Sequence, residues 1–199
     1  MLKVGEIKSA LEIAREKVEK LGGVTEEERL KWKYVPEGEK LAAKYIKQNL
    51  NLLAELSKYE ENAKKYVIEG ANDILTRNID LPRNDFARRN NKRAMDGLKT
   101  LKSDKVSVEN VYSQIRRVFD HYVEQGEQQR KQTYESLKAE VEAKIQQVVK
   151  QQLGSFAGIK IDVESQPQFQ EEWRKIQAQL DSQYVKLLDE YKRELSAIS

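Results

Sequence analysis

Residues Ser107–Leu153 read SVENVYSQIRRVFDHYVEQGEQQRKQTYESLKAEVEAKIQQVVKQQL, and this stretch decides the fold. It holds no proline. Its apolar residues are Val108, Val111, Tyr112, Ile115, Val118, Phe119 and Tyr122, then Tyr134, Leu137, Val141, Ile145 and Val148. Steps of three and four put them on one face of a helix. Between the two runs lies EQGEQQRKQ (residues 124–132), polar on every side. At 1.5 Å per residue such a helix spans roughly 70 Å, whereas a compact chain of this length has a radius of gyration of about 16 Å. The stretch therefore predicts an all-α, elongated bundle. Gly126 should not interrupt it, since one internal glycine costs about 1 kcal/mol.

Downstream, GSFAG (154–158) ends the helix, and IKIDV (159–163) alternates like a strand. With no second strand in the chain to pair with, it reads as extended loop unless another subunit supplies a partner. Pro167 suits a first helical turn. A last helix over 166–198 follows, with the stripe Phe169, Trp173, Ile176, Leu180, Tyr184, Leu187, Tyr191, Leu195 and Ile198. Folded back tightly through 154–165, its second half would lie beside the polar segment Glu124–Tyr134. Leaving large side chains in water there forfeits about 1.5–3 kcal/mol each. The expectation is a homodimer whose seam is Tyr184, Leu187, Leu188, Tyr191, Leu195 and Ile198; the alternative is a self-covered bundle in which helix 37–79 buries the stripe.

Upstream, Ser103–Lys105 is a turn and Ser107 the expected cap. A helix over 83–102 carries Phe86, Ala87, Ala94, Leu98 and Leu101 on one side. Arg88, Lys92, Lys99 and Lys102, flanked by Arg89 and Arg93, project to the other. Before the break at 80–82, a helix over 37–79 shows a seam of Ala42, Ile46, Asn49, Leu53, Leu56, Glu60, Ala63, Val67, Gly70 and Ile74. Ala63 and Gly70 leave room there for another backbone. Thr25 and Glu28 form a capping-box pattern that starts a short helix expected to stop before Pro36. Trp32 in that helix and Trp173 in the last read as core fillers. A first helix covers 2–21, with Val4, Ile7, Leu11, Ala14 and Val18 on one stripe. The domain reading is 1–106, N-terminal helices including the long helix 37–79 and the basic helix 83–102, followed by 107–199, a long helical hairpin. Helix 37–79 should pack lengthwise with 107–153 and 166–198, and helices 2–21, 25–35 and 83–102 should cluster around Val108–Tyr122.

Composition narrows function. Of 199 residues, 35% are charged yet the net charge is only +3, so no general pull toward nucleic acid or anionic membrane follows. Absence of cysteine removes disulfide, thiolate-metal and cysteine-nucleophile chemistry. No segment reaches the roughly 18 apolar residues needed to span a bilayer. A cytoplasmic protein with no membrane partner is the expectation. His121 stands alone, three residues after Val118 rather than after a glutamate, so it makes no helical di-iron motif. The carboxylate pairs sit beside Lys or Arg and read as surface charge. With no phosphate loop or nucleophile elbow either, the expectation is a protein without enzymatic activity, metal or cofactor. Its role would be that of a helical scaffold or adaptor binding protein through helix faces. The alternative is a phosphate-binding, nucleic-acid-facing surface made of Arg88, Arg89, Lys92, Arg93, Lys99 and Lys102, with Asn90 and Asn91 able to reach a base edge.

Overall fold

The computed structural model describes residues 25–48, 50–153 and 162–198. Among these there are helices and no strand: α1 (Glu26–Lys47), α2 (Leu52–Leu56), α3 (Glu61–Arg77), α4 (Asp85–Leu101), α5 (Lys105–Leu153) and α6 (Pro167–Ala197). The all-α expectation holds. The expected helix 2–21, the seam residue Asn49 and most of the strand-like 159–163 lie outside the described residues. The chain divides into two compact units, Met1–Leu75 and Thr76–Ser199, so the basic helix α4 belongs with α5 and α6 rather than with the helices before it.

In the first unit the capping box forms: the Thr25 backbone N–H donates to Glu28 at 2.8 Å and the Glu28 N–H to the Thr25 hydroxyl at 3.2 Å. The helix it starts does not stop at Pro36 but runs on to Lys47. Proline removes the bond to the carbonyl four residues back. That residue is Trp32, on the exposed side of the helix at 64% exposure, so the lost bond falls on a solvent-facing stretch rather than in the core. The same exposure corrects the reading of Trp32 as a core filler. The expected long helix 37–79 is instead interrupted twice. Asn51 takes the Ala54 N–H at 3.2 Å and caps α2, and the polar seam residue Glu60 falls in the second interruption, just before α3. Short-range capping outcompetes a seam that is polar where it would need to be apolar.

Helices α1 and α3 meet backbone to backbone. A Cβ on Gly38 would sit 2.0 Å from the Val67 carbonyl oxygen, and one on Gly70 would sit 2.1 Å from that of Val35. The close approach expected at Gly70 is therefore real, and Gly38 is its other half. Around the crossing, the Tyr66 hydroxyl donates to Glu27 at 3.0 Å and Lys31 pairs with Glu69 at 2.7 Å.

In the second unit, Asn84 caps α4 by accepting the Ala87 N–H at 2.8 Å. Asn91 is 3% exposed and spends its amide on the preceding loop, accepting from Asp80 N–H at 2.8 Å and donating to Asp80 C=O at 2.6 Å. Tyr112 of α5 donates to the Met95 carbonyl of α4 at 2.6 Å, and burial pushes its phenol well above the usual tyrosine range. Asp104, not Ser107, starts α5, accepting the Ser107 N–H at 3.0 Å and its hydroxyl at 2.6 Å. From there α5 runs through Gly126 to Leu153 without a break.

Helix α6 returns antiparallel along α5 in an unexpected register. Val163 and Phe169 pack with Leu137, Lys138 pairs with Glu164 at 2.5 Å, and Tyr184 meets Tyr122 edge-on at 5.1 Å. A tight turn after Leu153 would have placed Phe169 beside the last turns of α5, so the helix is displaced by roughly four turns. At the far end Lys102 donates to the Ile198 carbonyl. The apolar half of α6 thus lies along Val108–Tyr122, not along the polar segment. Leu188 and Leu195 are each 1% exposed within the chain, which removes the premise that a second chain must cover them. Trp173 is half-buried against Tyr134, 5.0 Å away, as a core aromatic should be.

Candidate functional site

The expected basic face is largely self-engaged. Arg88 lies 3.6 Å from Asp85, and Lys99 pairs with Glu109 at 2.7 Å. Lys102 is buried, and burial pulls its ammonium below the usual lysine value. Arg89 and Lys92 stay exposed, while Arg93 is half-buried. Phe86, expected on the buried side, is 65% exposed. It shares a helix face with Arg89, Asn90 and Arg93, three, four and seven residues on. On the other wall of the α4/α5 groove, Glu109 is held between Lys99 and Arg116, the latter at 2.5 Å. These partners, Lys99 first, hold its carboxyl below the ordinary glutamate range. The linked stability is present above the unfolded value of about 4.3 and is lost as pH falls through the folded one. An exposed pair contributes little, so we expect Glu109→Gln to flatten a shallow acid limb of the melting curve while leaving neutral-pH stability nearly unchanged. An NMR titration in which the Glu109 carboxyl titrates in the ordinary range would refute this.

The more distinctive surface runs between α5 and α6, a groove of about 870 Å³. Helix α5 lines it with Gln114, Arg117, Val118, His121, Gln129 and Thr133. Helix α6 supplies Ile176, Gln179, Leu180, Gln183, Tyr184, Leu187 and Tyr191. The displaced register brings these two runs side by side, since a tight turn would have set Ile176–Tyr191 against a later part of α5. Leu187 remains 39% exposed. At mid-groove the Tyr184 hydroxyl and His121 Nδ1 are 2.9 Å apart. Three of the expected seam residues, Tyr184, Leu187 and Tyr191, line this groove; Leu188 and Leu195 are buried and Ile198 sits at the Lys102 end.

Beneath the middle of the hairpin is an ionic cluster that sequence reasoning missed. Arg83 Nε donates to Asp181 at 3.1 Å and its Nη1 to Asp80 at 3.0 Å. Arg130 stacks over the Tyr122 ring, 4.1 Å from its centre, and donates to the Tyr122 carbonyl at 3.2 Å. Its guanidinium lies 3.9 Å from the buried Asp181 Oδ1, close enough for attraction but too far for a hydrogen bond, so that oxygen accepts none. The Asp181 partner is separated from Arg83 by 98 positions, and no local pattern announces such a pair.

Among the described residues, no three His, Cys, Asp or Glu gather closely enough to hold a metal, and no helix is long and apolar enough to cross a membrane. Neither the curated proteins nor the solved structures contain a match to this chain. The profile of DUF6657, a family of unknown function, matches residues 53–197, and the chain belongs to that family.

Proposed function

We propose that the protein is a non-enzymatic helical scaffold or adaptor that binds other proteins through the α5/α6 face. The observation that supports this reading is the groove itself. Val118, Ile176, Leu180 and Leu187 form an apolar floor on two long, mutually braced helices, and aromatic and amide side chains rim it. Apolar surface with Tyr at its edge is the composition of a protein-binding face. The test is a photo-crosslinking amino acid introduced in cells at Leu187, with Arg89 on α4 as the comparison site. Protein adducts should form from position 187 and be lost when Leu180→Asp is added. Absence of adducts there, with adducts from position 89 alone, would sink the proposal.

A second reading has its own observation. Exposed Phe86 beside Arg89 and Asn90 offers a base-stacking ring next to a cation, the combination that binds single-stranded nucleic acid. Under that reading Phe86→Ala weakens RNA or DNA binding at about 50 mM salt, where phosphate contacts are strongest. No gel shift by the wild-type chain at that salt would remove it.

A further inference from the structure

We propose that the α5/α6 groove takes an amphipathic helix of a partner protein, one whose apolar stripe is flanked by carboxylates. This deepens the adaptor reading and rests on it.

The shape favours a helix. On α5 the lining runs from Gln114 to Thr133, a length of about 28 Å, or roughly five helical turns. A trough with an apolar floor between two packed helices accepts a third by interleaving side-chain ridges. A peptide that binds by strand addition instead needs a sheet edge, and the described residues contain no strand.

Charge selects which helix. The groove is lined by one arginine, the lone histidine and no carboxylate, in a chain with 33 acidic residues. Arg117 has no ion-pair partner among the described residues, while its neighbour Arg116 is held by Glu109. Arg117 stands one turn from His121 on the same wall, so a partner carboxylate at that level meets the Arg117 guanidinium beside the imidazole that Tyr184 already engages. Gln129, Gln179 and Gln183 supply neutral amides along the remaining edges. The α4/α5 groove is different in kind. Arg88, Lys92, Lys99 and Arg116 there face Asp96, Glu109, Asp120 and Glu124, an equal count that cancels itself and selects no sign.

The experiment uses the full chain and two synthetic helical peptides of about 19 residues, the number that spans the groove at 1.5 Å each. Both carry the same leucine stripe; one is flanked by Glu, the other by Lys. By fluorescence anisotropy at low salt the Glu-flanked peptide should bind about tenfold tighter, because charge complementarity at a rim discriminates between partners. Arg117→Glu should reverse the preference, and Leu187→Asp should weaken both peptides about tenfold or more. Both positions are exposed, and circular dichroism should show helicity unchanged. Equal binding of the two peptides, or binding untouched by Leu187→Asp, overturns the proposal. So does a dimer mass in light scattering that Leu187→Asp converts to a monomer, because a second copy then fills the groove. If the peptides show no charge preference while position 187 still crosslinks to protein in cells, the partner chemistry is wrong and the adaptor reading survives. If neither binding nor crosslinking occurs, both fail.

Discussion

Gly38→Ala should cost the first unit about 3–5 kcal/mol, beyond the usual range for an added methyl, because the group it meets is backbone and cannot rotate away. The new Cβ would lie 2.0 Å from the Val67 carbonyl oxygen. Helices α1 and α3 would have to separate, and the Leu41, Ala42 and Val67 side chains buried near the crossing would lose their packing. Gly70→Ala should do the same from the other side. Gly126→Ala is the informative contrast. Its Cβ would meet only the far ends of Arg130 and Tyr184, at 3.0 and 3.3 Å. Alanine is the better helix former by about 1 kcal/mol, so the net change should stay within about that amount. Urea denaturation, with amide exchange followed across α1 and α3, checks all three. Equal losses at the three positions would show that the glycines are not there for close approach.

Asp181→Ala should be the most damaging polar change in the second unit. It leaves Arg83 and Arg130 facing each other without their shared anion. The Arg130 side chain is 19% exposed and that of Asp181 15%. Breaking a fully buried pair costs about 3–5 kcal/mol, and this partial exposure argues for the lower end, about 2–3 kcal/mol. Arg130→Ala alone should lose less, because it also removes the unpaired charge. The double substitution should be less harmful than the sum, since both act through one cluster. Strict additivity would show that Asp181 is not coupled to Arg130 and is held by Arg83 and the Tyr122 hydroxyl instead.

What was legible in the sequence follows the range of the interaction. The helix 107–153 could be read because its apolar spacing repeats over many turns and a single glycine cannot outweigh its neighbours. Thr25–Glu28 and Pro167 were legible for the same reason: the partner is within a turn. Pro36 misled, because the rule against helix before proline is a local cost, and whether the helix bears it depends on its surroundings, which are a tertiary fact. The apolar seam over 37–79 misled because Asn51 takes a nearby N–H more readily than a polar seam position finds a partner. The register of the hairpin was beyond reach. It depends on where Val163 and Phe169 choose to dock, and Leu137 offers them a cluster that no spacing rule ranks above a tight turn. Both the groove and the Asp181 cluster inherit that register. Tyr184, Leu187 and Tyr191 could be singled out as surface-seeking, yet the α5 wall opposite them could not.

The order in which the chain is made gives the hairpin register a further meaning. The apolar run Val108–Tyr122 leaves the ribosome well before the segment that covers it, since His121 and Tyr184 are 63 positions apart. At synthesis rates of about 5–20 residues per second, the interval is roughly 3 to 13 seconds. Throughout it the flank of this run that α6 will cover stays bare, while α4, made earlier, can already pack on Tyr112 through Met95. The interval is long enough for a chaperone or a neighbouring nascent chain to find that flank. A tight hairpin turn would have shortened that wait for residues near Leu153 but not for these. Any antiparallel hairpin shelters the start of α5 last; the offset shortens the wait by setting Tyr184 rather than the residues near Ile198 against Tyr122. Slowing translation between Glu124 and Tyr184 should lengthen it again and raise aggregation of the nascent chain more than slowing it anywhere upstream.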